Sequence, residues 1–541
     1  MLLLILVAGV TFLAGLGRPA IGDSDEGFYA EAGREMVESG DWLTPRYNYE
    51  VRFQKPILFY WLVSSSYVVA GVGQAQARFW AATAGIGLAL LTLVAGRRLY
   101  DETTGLVAGA IVATSFGYFS VGRLALPDLP LAFFITLTIL AALAGTVDQD
   151  GHRSRWLILA GAGLGCGFLT KGPVALVVPA IVIAPVWLLE RRRFALSTGG
   201  ALLGLAVAVA IGVPWYVAMT LAHGRAYLES FFVADNLKRF ATSQFNDPRP
   251  VWFYVPILAG GLLPWTPLAV AAIPSVARWF RTRASVEART VRLLIWAVAP
   301  LVFFTLSIGK QPRYILPVLP PLALLLANVA MRRLRTHAGR DWWLQGPAAS
   351  VAGLLAVIAV LLYRARELVV MVPTIFLFAA VCAIAAAAVI VAVSALAPTA
   401  RLVPAGITLA GVLSLAGLQY GLSPAGNDPV QDMAELVARH RIGQEPVATY
   451  RVFVRNLIFY TGLRQTDLLN DQHAIDYLNS PTRVLCVIDQ TQLDRLEKMS
   501  GVRPRILGEV VYFNASAVKL RTFIQPNLHR DLERVLLVTN R

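Results

Sequence analysis

Long apolar stretches separated by short polar loops follow one another along the first 421 residues of the chain. A helix of about 20 apolar residues crosses a bilayer, so the pattern predicts a polytopic α-helical membrane protein with about thirteen transmembrane helices. The predicted helices cover residues 1–20, 79–96, 105–122, 129–146, 156–170, 173–189, 197–217, 251–273, 291–308, 315–331, 343–362, 369–396 and 402–421. The short pair at 156–170 and 173–189 is either two tight spans or one broken span.

Arginines fall in alternate loops between these helices, as in Arg97-Arg98, Arg191-Arg192-Arg193 and Arg332-Arg333. The positive-inside rule makes those loops cytoplasmic, which places the first polar loop and everything after residue 421 on the periplasmic side. The apolar stretch Pro56–Gly73 is not counted as a span, because counting it would invert the later loops. It is predicted to lie along the membrane interface. The N-terminal apolar segment has no basic residues and no cleavage site, which predicts a retained first helix.

The first polar loop contains a predicted amphipathic helix over Asp25–Ser39. Phe28, Ala32 and Met36 recur at helical spacing and predict one buried stripe. Asp23 and Glu26 have the spacing of a capping box, and Gly40 suits the position after the helix. The loop is therefore predicted to form a structured cap on the outer membrane surface.

The composition changes after the last predicted helix. Residues 422–541 are mixed polar and charged, with helical spacing over Val430–His440 and Asp489–Lys498 and strand-like runs at Val484–Ile488 and Val510–Phe513. This alternation predicts a small periplasmic α/β domain of about 110 residues. The predicted domains are thus 1–421, in the membrane, and 422–541, outside it.

Composition supports a membrane protein and bounds its partners. The chain is 56% hydrophobic and only 15% charged, whereas soluble domains carry about 25% charged residues. The formal net charge of +15 is explained by loop arginines that set topology and contact membrane lipids. No basic, aromatic-interleaved module is present, so nucleic acid is not an expected partner. The three cysteines have neither disulfide-framework nor metal-ligand spacing.

Acidic residues at two predicted outer helix ends are the candidate catalytic groups. Asp25 and Glu26 begin the first-loop helix, and Asp128 lies between Pro127 and Pro130. Each acid could merely cap its helix. If they face one cavity, two carboxylates could deprotonate an acceptor or share a metal ion. A divalent metal held by the acids and by residues of the long loop 218–250 is an open alternative; its candidate ligands are Asp25, Asp128, His223 and Asp235.

Basic residues beside glycine or proline recur on the same predicted side of the membrane. Such cations suit a phosphate held near the membrane surface, although contacts with lipid headgroups explain single cases equally well. The candidate phosphate ligands are Lys55, Arg123, Lys171, Lys310 and Arg313.

These motifs in this order resemble the glycosyltransferase C superfamily, and within it the polyprenyl-phosphate-sugar transferases related to bacterial lipid A aminoarabinose transferase and to protein O-mannosyltransferases. The resemblance covers residues 1 to about 421 and is most specific in the first loop. The matching residues are Asp25-Glu26, Tyr29-Ala30, Ser39-Gly40-Asp41-Trp42, Lys55-Pro56, Tyr60-Trp61, Leu126-Pro127-Asp128, Leu169-Thr170-Lys171-Gly172-Pro173 and Lys310 to Pro321.

The resemblance implies transfer of a sugar, with the inversion of the anomeric centre that is usual in the family, from an undecaprenyl-phosphate donor to a lipid A-like or other envelope acceptor. It implies a bacterial inner-membrane enzyme whose Asp25 is the catalytic acid, supported by Asp128, and whose Lys55 holds a phosphate. Tyr29, Tyr60 and Trp61 would line the substrate site. The chain departs from the aminoarabinose transferases at Gln54, where they usually carry an acid, and this leaves the sugar open.

Two other functions are compatible with the sequence. A protein O-glycosyltransferase would use a Ser or Thr hydroxyl as its acceptor. A lipid or sugar transporter with a periplasmic sensing domain would place its acids near the middle of the bilayer, within broken helices. Asp25 and Asp128 fall at predicted helix ends instead.

Overall fold

Helices form nearly all of the first 421 residues. The computed structural model describes residues 1–22, 25–146, 152–238, 248–282, 286–369, 372–423, 428–514 and 520–541. The helices of the membrane domain are α1 Leu2–Leu13, α2 Asp25–Ser39, α3 Leu58–Ala70, α4 Gln74–Leu99, α5 Glu102–Thr114, α6 Phe116–Gly122, α7 Asp128–Thr146, α8 Arg153–Lys171, α9 Val174–Glu190, α10 Thr198–Gly212, α11 Pro214–Leu228, α12 Tyr254–Gly261, α13 Ile273–Thr282, α14 Ala288–Leu306, α15 Leu319–Thr336, α16 Trp342–Arg364, α17 Thr374–Leu396 and α18 Val403–Gly421. A π-helical segment, Glu229–Lys238, continues from α11, and a 3-10 segment, Pro312–Val318, leads into α15.

The length and apolarity of these helices confirm a polytopic membrane fold. Among the described residues, 8 helices are long and apolar enough to cross a membrane, or up to 10 if two bent pairs each count as one span. In those pairs α5 and α6 meet at 54°, and the segments 251–261 and 266–282 meet at 101°. Three further apolar helices, α1, α3 and α9, are shorter. The predicted number of thirteen spans therefore stays a prediction.

The uncounted apolar stretch Pro56–Gly73 forms α3, which has 13 residues. At about 1.5 Å per residue it is roughly 20 Å long, less than the hydrocarbon thickness of about 30 Å. Its side chains Phe59, Tyr60 and Val63 are fully buried in a cluster shared with α2. The helix is therefore short for a span, and its interfacial position stays a prediction.

The C-terminal part of the chain is built on a mixed five-stranded sheet. The sheet has the order β4-β3-β5-β7-β6, in which β3 runs parallel to β4 and β5 while β7 is antiparallel to β5 and β6. Alternate residues of the central β5 enter different cores, Leu485 and Val487 on one face and Cys486 and Ile488 on the other. The strands, with the first-loop hairpin, are β1 Arg46–Tyr47, β2 Glu50–Val51, β3 Val447–Tyr450, β4 Gln465–Asp467, β5 Leu485–Asp489, β6 Arg505–Phe513 and β7 Leu532–Thr539. The helices are α19 Pro429–His440, α20 Leu457–Thr461, α21 Asp471–Leu478, α22 Gln490–Ser500, α23 Leu520–Ile524 and α24 Leu528–Asp531.

The C-terminal domain docks directly on the first loop through paired polar contacts. Asn456 donates to the Ile21 carbonyl at 2.8 Å, and the Ile21 amide donates to the Tyr460 hydroxyl at 2.8 Å. Asn48 and Gln465 exchange two hydrogen bonds of 2.8 Å each. These contacts join positions more than 400 residues apart, so the loop and the domain form one packed unit.

Helix α2 has the predicted bounds but is more deeply buried than the predicted single stripe. Gly40 follows it with φ +69°, and its amide donates to the Met36 carbonyl, as expected of a residue that ends a helix. Of the predicted stripe, Ala32 and Met36 are buried and Phe28 is half-buried. Gly27 and Glu31 are buried as well, because α3 covers one side of α2 and the C-terminal domain covers another. A Cβ at Gly27 would lie 2.3 Å from the Arg455 carbonyl oxygen, so only glycine permits this close approach. The capping box predicted at Asp23 lies outside the described residues.

A buried ion pair fixes the start of α2 against α4. Both Glu26 and Arg78 are within 1% of complete burial, and the Arg78 Nε lies 2.7 Å from the Glu26 carboxylate. The backbone amides of Gly22 and Ala125 also donate to that carboxylate, each at 2.8 Å. Arg78 donates in addition to three backbone carbonyls between residues 16 and 20. Glu26 thus connects α2, α4 and the segment before α7.

Replacing Glu26 by alanine is expected to destabilise the protein strongly. Removing one partner of a buried ion pair leaves an uncompensated charge, at a cost of about 3–5 kcal/mol. The unfolding temperature of Glu26→Ala in detergent should therefore fall well below that of the wild type. Glu50→Ala is the matched control, because the Glu50–Arg464 pair is 69% and 65% exposed and should contribute little. Equal unfolding temperatures for the two variants would contradict the structural role of Glu26.

A second buried acid in α2 is held largely protonated. Burial and, next, the charge of Glu31 raise the pKa of Glu35 from an ordinary 4.5 to about 8. The Tyr49 amide donates to the Glu35 carboxyl at 3.0 Å, and only 2% of the Glu35 residue is exposed. Because the folded pKa is the higher one, the folded state keeps a proton that the unfolded chain loses. Stability should therefore fall as pH rises from about 4.5 to about 8.

Glu35→Gln should remove this pH dependence, since glutamine accepts the Tyr49 hydrogen bond but does not ionise. We expect its unfolding temperature to exceed that of the wild type near pH 8 and to approach it near pH 4.5, the two ends of the window set by the pKa shift. Thermal unfolding in detergent across this range measures the effect. Glu38→Gln, on the exposed side of α2, is the control and should keep the wild-type dependence. A Glu35→Gln profile parallel to that of the wild type would refute the assignment.

Candidate active site

A cavity of about 390 Å³ opens at one end of the helix bundle, where α7 and α9 begin and α8 and α14 end. Its volume lies within the range of about 300–1,000 Å³ that is typical of ligand pockets. Apolar side chains form its walls, among them Leu131, Ile135, Val174, Val177, Phe232, Phe303, Phe304 and Pro317. Charged side chains also line it, and these are Lys55, Asp128, Lys171, Asp235 and Arg313.

The ends of two neighbouring helices bring the first charged pair together. Asp128 is the first residue of α7 and Lys171 the last of α8, and the Lys171 Nζ lies 2.5 Å from the Asp128 Oδ1. Gly172 then turns the chain with φ +78°, and Pro173 precedes α9. The Lys171-Gly172-Pro173 motif therefore separates two helices and keeps its lysine at the cavity.

The second pair joins the first loop to the segment after α11. Lys55, just before α3, forms an ion pair with Asp235 of the π-helical segment. The Lys55 side chain is 14% exposed and that of Asp235 only 3%. Removal from water strengthens the attraction between such charges. The pair therefore holds the first loop against the π-helical segment.

The third cation, Arg313, contacts two of the predicted acids. It forms an ion pair with Asp25, and its Nε lies 3.4 Å from the Asp128 Oδ2. Burial alone would raise the pKa of Asp25, but the charge and hydrogen bond of Arg313 hold it below its ordinary value of 3.8. Asp25 is therefore a carboxylate at neutral pH, located beside the cavity at the start of α2.

The charges of this cluster balance. Three cations contribute +3 and three carboxylates contribute −3, which gives a net charge of zero. An incoming phosphate could take over the cations and release carboxylates, since both anions accept from the same N–H donors. The members are Lys55, Lys171, Arg313, Asp25, Asp128 and Asp235.

Three other residues predicted for the site have partners elsewhere. Glu26 is committed to Arg78, as described above, which favours a structural role over the predicted catalytic one. Arg123 donates to the carbonyls of residues 11, 12 and 14 at the end of α1, at 2.7–3.0 Å, and to Gln419. Lys310 donates to the carbonyls of Ser307 and Arg249, at 2.6 and 3.2 Å. Arg123 thus ties α1 to α18, and Lys310 holds the backbone next to the cavity.

The aromatic residues predicted to line a substrate lie behind the first loop. Tyr29 and Tyr60 are buried with ring centroids 5.3 Å apart, and the Tyr60 hydroxyl accepts from Arg52 at 3.2 Å. The Trp61 indole donates to the Trp42 carbonyl at 2.7 Å. None of the three lines the cavity described above, so their contact with a substrate stays a prediction.

The four candidate metal ligands do not form one metal-binding group among the described residues. Asp25, Asp128 and Asp235 each pair with a cation, whereas His223 contacts the Thr44 hydroxyl at 2.9 Å and packs against Phe53. Within the described ranges no group of three His, Cys, Asp or Glu side chains could hold a metal ion. In this structure the three aspartates contact basic side chains, and a metal held by these four residues stays a prediction.

Two arginines near Asp25 escaped sequence reasoning. The guanidinium carbon of Arg52 lies 3.9 Å from the Phe28 ring centroid, and that of Arg455 lies 5.1 Å from the same centroid. The positive charge of Arg455 also contributes to the lowered pKa of Asp25. Arg455 belongs to the C-terminal domain, and no local spacing signals its return to the first loop. Arg52 lies three residues before Lys55, so its charge could have been recognised in the sequence as part of the same basic stretch.

Sequence comparisons identify relatives of known type. A family described as dolichyl-phosphate-mannose-protein mannosyltransferase matches residues 23–224. The undecaprenyl phosphate-alpha-4-amino-4-deoxy-L-arabinose arabinosyl transferase of Pseudomonas aeruginosa (strain UCBPP-PA14) is 35% identical over 338 residues, 62% of this chain and 60% of that protein. The enzyme of that name from Enterobacter sp. (strain 638) is 32% identical over 370 residues, 67% of this chain and 65% of that protein. The chain thus matches less than two thirds of the length of these relatives.

Comparison of structures extends the likeness to the whole chain. ArnT from Cupriavidus metallidurans, in a crystal structure bound to undecaprenyl phosphate, superposes with a TM-score of 0.73 at 23% identity, covering 100% of this chain and 98% of that one. The Archaeoglobus fulgidus oligosaccharyltransferase gives a TM-score of 0.50 at 14% identity, covering 90% and 69%. At these identities the structures establish the fold alone. The chain therefore has the fold of these two structures, and in sequence it is similar to undecaprenyl-phosphate aminoarabinose transferases.

Proposed function

We propose that the protein transfers a sugar from an undecaprenyl-phosphate-linked donor to a lipid A-like or other envelope acceptor. The observation that carries this proposal is the cavity that joins apolar walls to three cations at one end of the helix bundle. A polyprenyl phosphate has the same two parts, an apolar chain and an anionic head. The names of the sequence relatives and the undecaprenyl phosphate in the ArnT crystal structure support the same donor.

In this proposal the apolar walls receive the start of the prenyl chain while the cations receive the phosphate. Leu131 and Ile135 of α7 lie one turn apart, and Val174 and Val177 of α9 face the same cavity. Lys171, Lys55 and Arg313 lie where these apolar surfaces end. Negative charge grows on the departing phosphate as the glycosidic bond breaks, and cations already in place stabilise it in a site from which water is largely excluded.

Asp25 is the proposed acid beside the sugar or the acceptor. Its lowered pKa makes it an ionised but weak base. A hydroxyl acceptor needs a base in the transition state, whereas a phosphate acceptor needs mainly alignment and a site for its charge. Asp128 would then hold Lys171 and Arg313 in position, since it contacts both.

A second candidate function is transfer of the sugar to a protein hydroxyl. The observation that favours it is the match of residues 23–224 to the protein mannosyltransferase family. Both candidates use the same donor site and differ in the acceptor. A transporter function, by contrast, would yield no glycosylated product.

The site is proposed to face the periplasm of a bacterial inner membrane. The loops at the opposite end of the bundle carry the arginine pairs Arg97-Arg98, Arg191-Arg192 and Arg332-Arg333, which the positive-inside rule assigns to the cytoplasm. The C-terminal domain, docked on the first loop, would then also be periplasmic.

Asp25→Asn should reduce sugar transfer by at least about a hundredfold if Asp25 acts as a base, the lower limit of what a positioned acid or base contributes. The assay incubates purified protein with a panel of undecaprenyl-phosphate sugars and either lipid A or an acceptor peptide, and identifies products by mass spectrometry. Glu50→Gln is the matched control, because Glu50 lies in the same loop and is 69% exposed. Wild-type turnover in Asp25→Asn would eliminate the assigned base, and the absence of product from every donor and acceptor would refute the transferase function itself.

Lys55→Ala should chiefly weaken use of the lipid-phosphate donor. Loss of a charge-assisted hydrogen bond costs about 1.5–3 kcal/mol, so kcat/KM for the donor should fall by about 10- to 150-fold. Lys238→Ala is the matched control, because this exposed lysine belongs to the same helical segment as Asp235. Equal kcat/KM values for the two variants would exclude Lys55 as a phosphate ligand.

A further inference from the structure

A second cavity, of about 260 Å³, lies at the end of the bundle opposite the candidate active site. It is formed where α4 and α7 end and α8 and α14 begin, so α7, α8 and α14 contribute to both cavities from their two ends. Three arginines line it, Arg98, Arg289 and Arg292, and within the described chain no carboxylate does. The proposed sugar transfer assigns no role to this cavity.

The helices around this cavity carry arginines at its opening and apolar side chains deeper in the bundle. On α14, Arg289 and Arg292 are followed on the same face by Leu293 and Trp296, deeper in the bundle. On α4 the order is mirrored, with Leu91 and Val94 deep and Arg98 at the end. Leucines of α7 complete the apolar part, and these are Leu137, Leu140 and Leu143. The result is a cationic mouth over an apolar interior.

The arginines at this mouth differ in how they are held. Arg292 pairs with Glu190 at 2.6 Å, and Arg289 pairs with Glu287 at 2.5 Å. Arg98 is exposed and stacks on Trp156 with 4.3 Å between its guanidinium carbon and the ring centroid. Among the described residues no carboxylate lies within ion-pair distance of Arg98. Its charge is therefore available to an anion while its position is fixed by the indole ring.

A buried donor provides independent support for a polar atom in the cavity. Trp296 lines the cavity, is only 1% exposed, and its indole N–H has no acceptor among the described residues. Buried N–H groups in native proteins nearly always find an acceptor, because an unsatisfied one costs free energy. An ester or phosphate oxygen of a bound lipid could provide it.

We propose that this cavity binds one anionic phospholipid, with the phosphate at Arg98, Arg289 and Arg292 and an acyl chain between the leucines of α4 and α7. The occupant follows from charge complementarity combined with the apolar interior, since a free phosphate would leave the interior unfilled and a neutral lipid would leave the charge of Arg98 uncompensated. The proposal is independent of the sugar-transfer function, because no residue of the cation–carboxylate cluster takes part in it.

Native mass spectrometry of the full-length protein in detergent tests the site, with dioleoyl phosphatidylglycerol, dioleoyl phosphatidylcholine and inorganic phosphate as probes. The wild type should retain one phosphatidylglycerol in preference to phosphatidylcholine, and inorganic phosphate should not displace it. Affinity should fall by about fivefold for each arginine removed, the equivalent of about 1 kcal/mol apiece, so Arg98→Gln with Arg289→Gln should lose about 25-fold. Equal retention of the two lipids, or displacement by inorganic phosphate alone, would overturn the proposal.

The matched control carries Arg191→Gln and Arg193→Gln, two exposed arginines at the same end of the bundle that lie outside the cavity lining. It removes the same charge and should keep the wild-type affinity; a loss equal to that of the cavity variant would reduce the effect to general surface charge. Leu140→Trp, which fills the apolar interior, should abolish lipid retention while leaving the arginines in place. Retention of lipid by a monodisperse Leu140→Trp protein would show that no acyl chain enters the cavity.

Discussion

The candidate active site depends on the pairing of charged side chains that the membrane and the protein interior shield from water. An unpaired ion in such surroundings is costly, so each cation of the candidate active site is held against a carboxylate from a different part of the chain. Lys55 meets Asp235, Lys171 meets Asp128, and Arg313 meets Asp25. The first contact joins the first loop to the π-helical segment after α11, and the second joins the start of α7 to the end of α8. The third joins the start of α2 to the 3-10 segment before α15. The structure of the site is thus largely the pattern of these pairs.

The same pairing stabilises the candidate site without a substrate and leaves its cations open to a competing phosphate in the proposed reaction. A cluster of cations alone would be unfavourable, because like charges repel one another. The repulsion would lower the pKa values of the cations or push the loops that carry them apart. With balancing carboxylates the cluster is neutral, and a phosphate must compete with the carboxylates for the same donors. Net binding therefore depends on the extra contacts of the apolar chain in the cavity, which the carboxylates cannot imitate. In the proposed reaction, this exchange would favour a lipid-linked phosphate over a soluble phosphate.

How far sequence reasoning reaches here depends on whether a signal is local. The bounds of α2, the short apolar segment that forms α3 and the lysines beside glycine or proline follow from periodicity, length and neighbouring residues, which act within a few residues. The partner of Glu26 is 52 residues away, and the burial of α2 depends on a domain more than 400 residues away. Acids at a helix start have the same sequence pattern whether they cap the helix, bind an arginine or face a substrate. Strand β7 was not predicted from the sequence. It pairs antiparallel with β5 and β6, but no tight hairpin turn that the sequence would show connects it to either strand.

The contact between the C-terminal domain and α2 also helps to position the candidate site. Gly27 allows the backbone at Arg455 to approach α2, and Arg455 in turn contributes to the field that keeps Asp25 ionised. Asn456 and Tyr460 bind the segment just before α2, next to the carbonyls that receive Arg78. The domain therefore acts on the same few residues as the Glu26–Arg78 pair, from the other side. Since α2 carries Asp25, its position is determined jointly by α4 within the membrane and by the domain outside it, and neither alone surrounds the helix.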